Sequence, residues 1–89
     1  MRKRINFYGA VQGVGFRYVT NLVAEKYGIY GWVRNNKDGS VTLVMEGLDE
    51  SMNEMLKYLK NFFQENIDHL EEIEEPEEKL SSFDIKYET

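Results

Sequence analysis

The chain contains no cysteine, which excludes disulfide staples, zinc-thiolate sites and thiol nucleophiles together. It has one proline, Pro76, and one histidine, His69. That histidine sits in an acidic stretch, so a structural or solvent-exposed role is expected of it rather than catalysis. No lysine or arginine falls between Glu65 and Glu78, where eight of the sixteen acidic residues gather. With a net charge of −5, this imbalance argues against a nucleic-acid partner, whose phosphates demand a basic footprint. The segment 65–78 is expected to be a solvated acidic face. Long apolar runs are also missing. Met1-Arg2-Lys3-Arg4 looks like the charged start of a secretory signal, but Asn6, Gly9, Gln12 and Arg17 interrupt the stretch after it. No membrane partner is expected, and the expected location is cytoplasmic.

What is present suits one small domain, residues 1–89, with 42% apolar and 13% aromatic residues for a single core. Ile5, Phe7 and Gly9 alternate with Asn6, Tyr8 and Ala10, predicting a strand with one face inward. Val19, Leu22, Val23 and Tyr27 follow helical spacing between Phe16 and Gly28, the glycine that terminates the helix. Residues 29–35 and 41–45 are rich in β-branched and aromatic side chains. Asn36-Lys37-Asp38-Gly39 between them predicts a hairpin turn. Ser51-Met52-Asn53-Glu54 fits a capping box, and Met52, Met55, Leu56, Leu59, Phe62 and Phe63 form the apolar stripe of a second helix running to about Gln64. Leu70 to Ile73 is a candidate short strand, residues 76–80 a loop, and alternating Phe83, Ile85 and Tyr87 a closing strand. The order predicts an α+β, ferredoxin-like sandwich, βαββαβ, with two helices on one face of an antiparallel sheet. In that topology strands one and two are parallel, with strand three between them, so their C-terminal ends share an edge about 10 Å apart.

One of those ends is the run Gly9-Ala10-Val11-Gln12-Gly13-Val14-Gly15-Phe16-Arg17, a strand that stops in a glycine turn and opens a helix. Such a turn presents backbone amides to an anion, and Arg17 adds a planar donor fork suited to phosphate oxygens. Tyr18 stands where a dinucleotide fingerprint needs its third glycine, and no Gly-Lys-Ser/Thr follows as in a P-loop. The turn alone leaves two readings open, a phosphate cradle or a tight connection with a surface arginine. The other end carries Asn35, followed by Asn36.

Together with Gly28-Ile29-Tyr30-Gly31-Trp32-Val33-Arg34-Asn35 and Asp38-Gly39-Ser40-Val41, the glycine run closely resembles the acylphosphatases, small enzymes that hydrolyse carboxyl-phosphate anhydrides. The resemblance covers residues 8–47 well and the remainder more loosely. It implies that Gln12, Gly13, Val14, Gly15, Phe16 and Arg17 bind the phosphoryl group, that Arg17 is catalytic, and that Asn35 orients the attacking water. The family's asparagine directly follows Trp-Val-Lys/Arg, which selects Asn35 over Asn36. The substrate is then a small-molecule acyl phosphate. No recognisable metal-ligand pattern is present, and a monomer working without metal or cofactor is expected.

Two binding-module readings compete. Tyr8, Tyr30 and Trp32 could offer rings to RNA on the open sheet face, though the charge is wrong and no RNP1 run is present. Acylphosphatase-like domains also occur inside larger carbamoyl-transfer maturation proteins, and a protein that binds acyl phosphates without turnover would keep the same cradle. Chain length argues against the embedded form, and the pair Arg17 and Asn35 favours the enzyme.

Overall fold

The computed structural model describes residues 1–87. Among them run β1 (Arg2–Gly9), α1 (Phe16–Tyr27), β2 (Tyr30–Asn35), β3 (Val41–Glu46), α2 (Asp49–Phe62), β4 (Ile67–Glu75) and β5 (Phe83–Lys86). The strands form one sheet in the order β4-β1-β3-β2-β5. β3 is antiparallel to both β1 and β2, so those two run parallel on either side of it, as expected. Period-two alternation sends Ile5, Phe7, Val33, Val41, Leu43 and Met45 to the helix-bearing face. There they join Val23 and Ala24 of α1 and Met52, Met55, Leu56 and Leu59 of α2 in one buried cluster.

The sheet departs from the expected one in its last strand. β5 lies parallel to β2, with Gly31 opposite Phe83 and Val33 opposite Ile85, so the sheet is mixed rather than antiparallel. A crossover from β4 at one edge to β5 at the other makes this possible. Buried Glu46, at the end of β3, holds that crossover by accepting the N–H groups of Glu78 and Leu80, each at 2.7 Å.

Three local expectations need correcting. β4 has nine residues and pairs along β1 from Arg2 to Gly9, where the sequence pattern predicts only a short strand over Leu70–Ile73. Its glutamates are compatible with a strand because an edge strand leaves them in water, and charges there discourage edge-to-edge association. They also meet cations on β1. Lys3 lies 3.9 Å from Glu72, while Arg2 lies 3.2 Å from Glu75 and from Glu78. The basic start of the chain is thus strand β1 itself, and the acidic run is both a solvated face and its counter-charge. The capping box does not form: α2 begins at Asp49 behind Leu48, without a side-chain cap, and Ser51 lies inside the first turn. Asp49 and Glu50 complement the helix dipole instead. Leu22 and Phe62, core-facing by helical spacing, are about half exposed, because α1 and α2 turn them off the buried stripe.

The Glu46 cluster has a pH consequence. Burial opposes the ionisation of Glu46, but the N–H donors of Glu78 and Leu80 and the guanidinium of Arg2 outweigh it and hold its pKa below the ordinary 4.5. Arg4, then Arg2, holds Glu75 below it too. As pH falls the unfolded chain takes up protons first, so this contribution is complete above about 4.5 and is lost as pH drops through the folded values. Urea unfolding measured from pH 7 to 3 is expected to show stability declining below that point, less steeply in Glu46→Gln. A parallel decline in both proteins would contradict the role given to Glu46.

Candidate active site

Between β1 and α1 the chain must leave the sheet, turn and enter a helix within six residues. It is pinned at both ends. Val11 is fully buried, and Phe16 packs its ring 4.9 Å from Phe7 and 4.6 Å from Phe63. Between these anchors Gly13 and Gly15 take φ of 78° and 80°, a region that disfavours side-chain-bearing residues. Gly15 also caps α1 without a side-chain acceptor. The first helical bond runs from the Val19 N–H to the Gly15 carbonyl at 3.0 Å. The amides of Phe16, Arg17 and Tyr18 therefore have no intrahelical acceptor and carry the positive end of the helix dipole. Because Phe16 points into the core, the next residue, Arg17, comes to the surface of the loop.

Gln12 ties this loop to the hairpin. Its side-chain amide donates to the carbonyls of Asn36 at 2.7 Å and Ser40 at 2.9 Å. The hairpin turn is itself organised by Asp38, which accepts the Ser40 N–H at 2.9 Å and the Ser40 hydroxyl. These hydroxyl and N–H donors hold the Asp38 carboxyl below its ordinary pKa. Loop and hairpin are thereby locked together across β3, which brings the end of β2 beside the start of α1.

The two asparagines at that end have different fates. Asn36 is committed to the turn, with its amide nitrogen donating to the Ser40 hydroxyl at 3.0 Å and the Thr42 hydroxyl at 2.8 Å and its oxygen accepting from Arg34 at 3.1 Å. Asn35 lies one pleat earlier, on the face of Val33. It enters a cleft of about 300 Å³ lined by Val11, Gly13, Gly15, Phe16, Arg17, Tyr18, Ile85 and Tyr87. Among the described residues no hydrogen bond engages the Asn35 side chain.

Of the residues singled out from sequence, the fold brings Gly13, Gly15, Phe16, Arg17 and Asn35 to one cleft. Gln12 acts behind it as the tether, and Val14 stands outside the lining, partly exposed. Ile85 and Tyr87 join the cleft although no motif marks them. Alternation places them on one face of a last strand, but only the parallel pairing of β5 with β2 carries them to Asn35. The Arg17 guanidinium lies 5.0 Å from the Tyr87 ring centre, a cation–π contact that limits its freedom. His69 is not among the described residues lining this cleft and stacks on Tyr8 at 4.5 Å. No cluster of three or more metal-ligating side chains occurs among the described residues.

On the open sheet face Tyr30 is 48% exposed. Trp32 is 9% exposed, with Arg4, Arg34 and Lys86 at 5.5, 5.1 and 4.7 Å from its ring centre. The Tyr8 hydroxyl donates to Glu71 at 2.9 Å. No described helix is long and apolar enough to cross a membrane.

Comparison with known proteins gives a consistent picture. A family model described as Acylphosphatase matches residues 3–85. A protein of Oceanobacillus iheyensis named acylphosphatase is 40% identical over 88 residues, covering 94% of this chain and 96% of its own. One of Bacillus licheniformis, also named acylphosphatase, is 47% identical over 60 residues, 67% of each chain. Among solved structures, the acylphosphatase of Bacillus subtilis superposes with a TM-score of 0.87 at 30% identity, covering 97% of this chain and 98% of that one. Full-length HypF, in a phosphate- and nucleotide-bound form, superposes with a TM-score of 0.84 at 28% identity, over 96% of this chain and 11% of that one.

Proposed function

Because this chain belongs to the acylphosphatase family, we propose that its cleft performs the family's reaction with Arg17 and the glycine loop holding the phosphoryl group and Asn35 holding the water. The reaction itself is hydrolysis of an acyl phosphate to a carboxylate and inorganic phosphate. The observation that carries the residue roles is the convergence on one cleft of Arg17 and Asn35, from different elements, beside amides free of helical acceptors.

A carboxylate is a stable leaving anion, so the step needs no strong general acid. Phosphoryl transfer is then mostly positioning and charge stabilisation. The loop amides and Arg17 bind the transferring group as charge spreads over its three equatorial oxygens. Asn35 lines the same cleft, and its amide holds the water in line with the departing carboxylate on this reading. The new P–O bond forms as the bond to the acyl oxygen breaks, and the water proton passes to a phosphoryl oxygen of the substrate.

We further propose a single-domain monomer, residues 1–89, acting in the cytoplasm without metal. Hydrolysis of benzoyl phosphate by the purified protein is expected to persist in excess chelator. Loss of activity that magnesium restores would overturn the metal-free mechanism, and binding without turnover by a folded protein would leave a phosphate-binding module.

A further inference from the structure

On the reading above the phosphoryl group belongs with Arg17, Asn35 and the loop backbone, while fully buried Val11 and Phe16 make the deepest lining apolar. The mouth is flanked by Tyr18 from the first turn of α1 and Tyr87 just beyond β5, with half-buried Ile85 between core and rim. Tyr18 is 65% and Tyr87 72% exposed. Exposed tyrosines are ordinary singly, but these two come from elements far apart in sequence and meet at one cleft. The volume of about 300 Å³ lies at the lower end of small-molecule sites, roughly 300–1,000 Å³. It leaves room beyond a phosphoryl group for a compact acyl tail.

Charge narrows which tail. Among the described residues lining the cleft, Arg17 is the single ionised side chain, with no lysine, aspartate or glutamate beside it. A transferring phosphoryl group occupies that cation. A second anionic group on the substrate would find no partner there and would meet a chain of net charge −5. An aromatic or aliphatic tail would instead cover ring surface that water now covers.

We propose that Tyr18, Ile85 and Tyr87 form an acyl-group subsite that selects acyl phosphates with neutral aromatic or aliphatic tails over those with a second anionic group. This rests on the assignment of Arg17 to the phosphoryl group. Tyr18 is the informative position, because Tyr87 also touches Arg17 and its loss would disturb both ends of the cleft.

The test compares kcat/KM for benzoyl, acetyl and succinyl phosphate in the wild type, Tyr18→Ala, Tyr18→Lys and Arg17→Gln. Taking ratios between variants cancels the intrinsic reactivity of each anhydride. The benzoyl-to-acetyl ratio is expected to fall roughly fivefold in Tyr18→Ala, the loss of one aromatic contact. The succinyl-to-acetyl ratio should rise about threefold in Tyr18→Lys, where a cation now faces the tail carboxylate. A merely structural tyrosine would move neither ratio. Ratios unchanged in both variants, with Arg17→Gln inactive, would overturn the acyl subsite alone. Wild-type activity in Arg17→Gln would overturn the phosphoryl assignment beneath it.

Discussion

Arg17→Gln is expected to lower kcat/KM for benzoyl phosphate by about 1,000-fold or more, the scale on which a transition-state arginine acts in phosphoryl transfer. Both parameters should suffer. On the proposed assignment the guanidinium binds phosphate in the ground state, so KM should rise, and binds more strongly as charge redistributes, so kcat should fall. Glutamine keeps a hydrogen-bonding end but loses the charge and the planar fork. Inorganic phosphate, as a competitive inhibitor, should weaken alongside. Folding should be spared, because the described contacts of Arg17 include no ion pair and only the stack on Tyr87. Circular dichroism and urea unfolding check that. A variant with unchanged phosphate affinity would contradict a ground-state role for Arg17.

Asn35→Ala is expected to separate the two parameters. A group that orients water touches the transferring phosphoryl group little in the ground state, so phosphate inhibition and KM should stay within about threefold while kcat falls by about 100- to 1,000-fold. The neighbouring residue provides the contrast. Asn36 donates to Ser40 and Thr42 and accepts from Arg34, so its removal takes a donor from two partly buried hydroxyls and the acceptor from the Arg34 Nε–H, and costs about 1–3 kcal/mol of stability. Asn36→Ala should therefore appear mainly in the urea midpoint and Asn35→Ala mainly in turnover. Equal loss of phosphate affinity in Arg17→Gln and Asn35→Ala would contradict the division of roles between them.

Much of this site is local in origin and so can be read along the chain. A strand that ends in glycines before Phe16 and Arg17 has few ways to proceed, and the φ values of Gly13 and Gly15 are those such a turn requires. The hairpin rests on contacts within five residues, Asp38 to Ser40 and Asn36 to Ser40. α1 ends where Gly28 follows Tyr27, with Ile29 donating to the Ala24 carbonyl at 2.9 Å. Choosing Asn35 over Asn36 takes only the period of two and the family motif.

Other features depend on partners far along the chain. The glutamate-rich segment carries only a short strand signal, over Leu70 to Ile73. Its nine residues extend as β4 because β1 offers an unpaired edge and three cations beside it. The start of α2 escapes its local signal because Ser51-Met52-Asn53-Glu54 can cap a helix only if the chain enters at Ser51, and the turn after Gly47 delivers it earlier, at Asp49. The far wall of the cleft is the clearest case. Whether Phe83–Lys86 adds to β4 or to β2 is invisible in a period-two pattern, which records faces but not neighbours. Glu46, thirty-two residues before Glu78, helps decide it by holding the crossover. Residue order thus carried the glycine turn and the hairpin, products of short-range backbone geometry, and the family motif marked Arg17 and Asn35. Only the tertiary structure decided that Ile85 and Tyr87 close the cleft over them, because strand pairing is settled by long-range packing and buried polar bonds that no local pattern encodes.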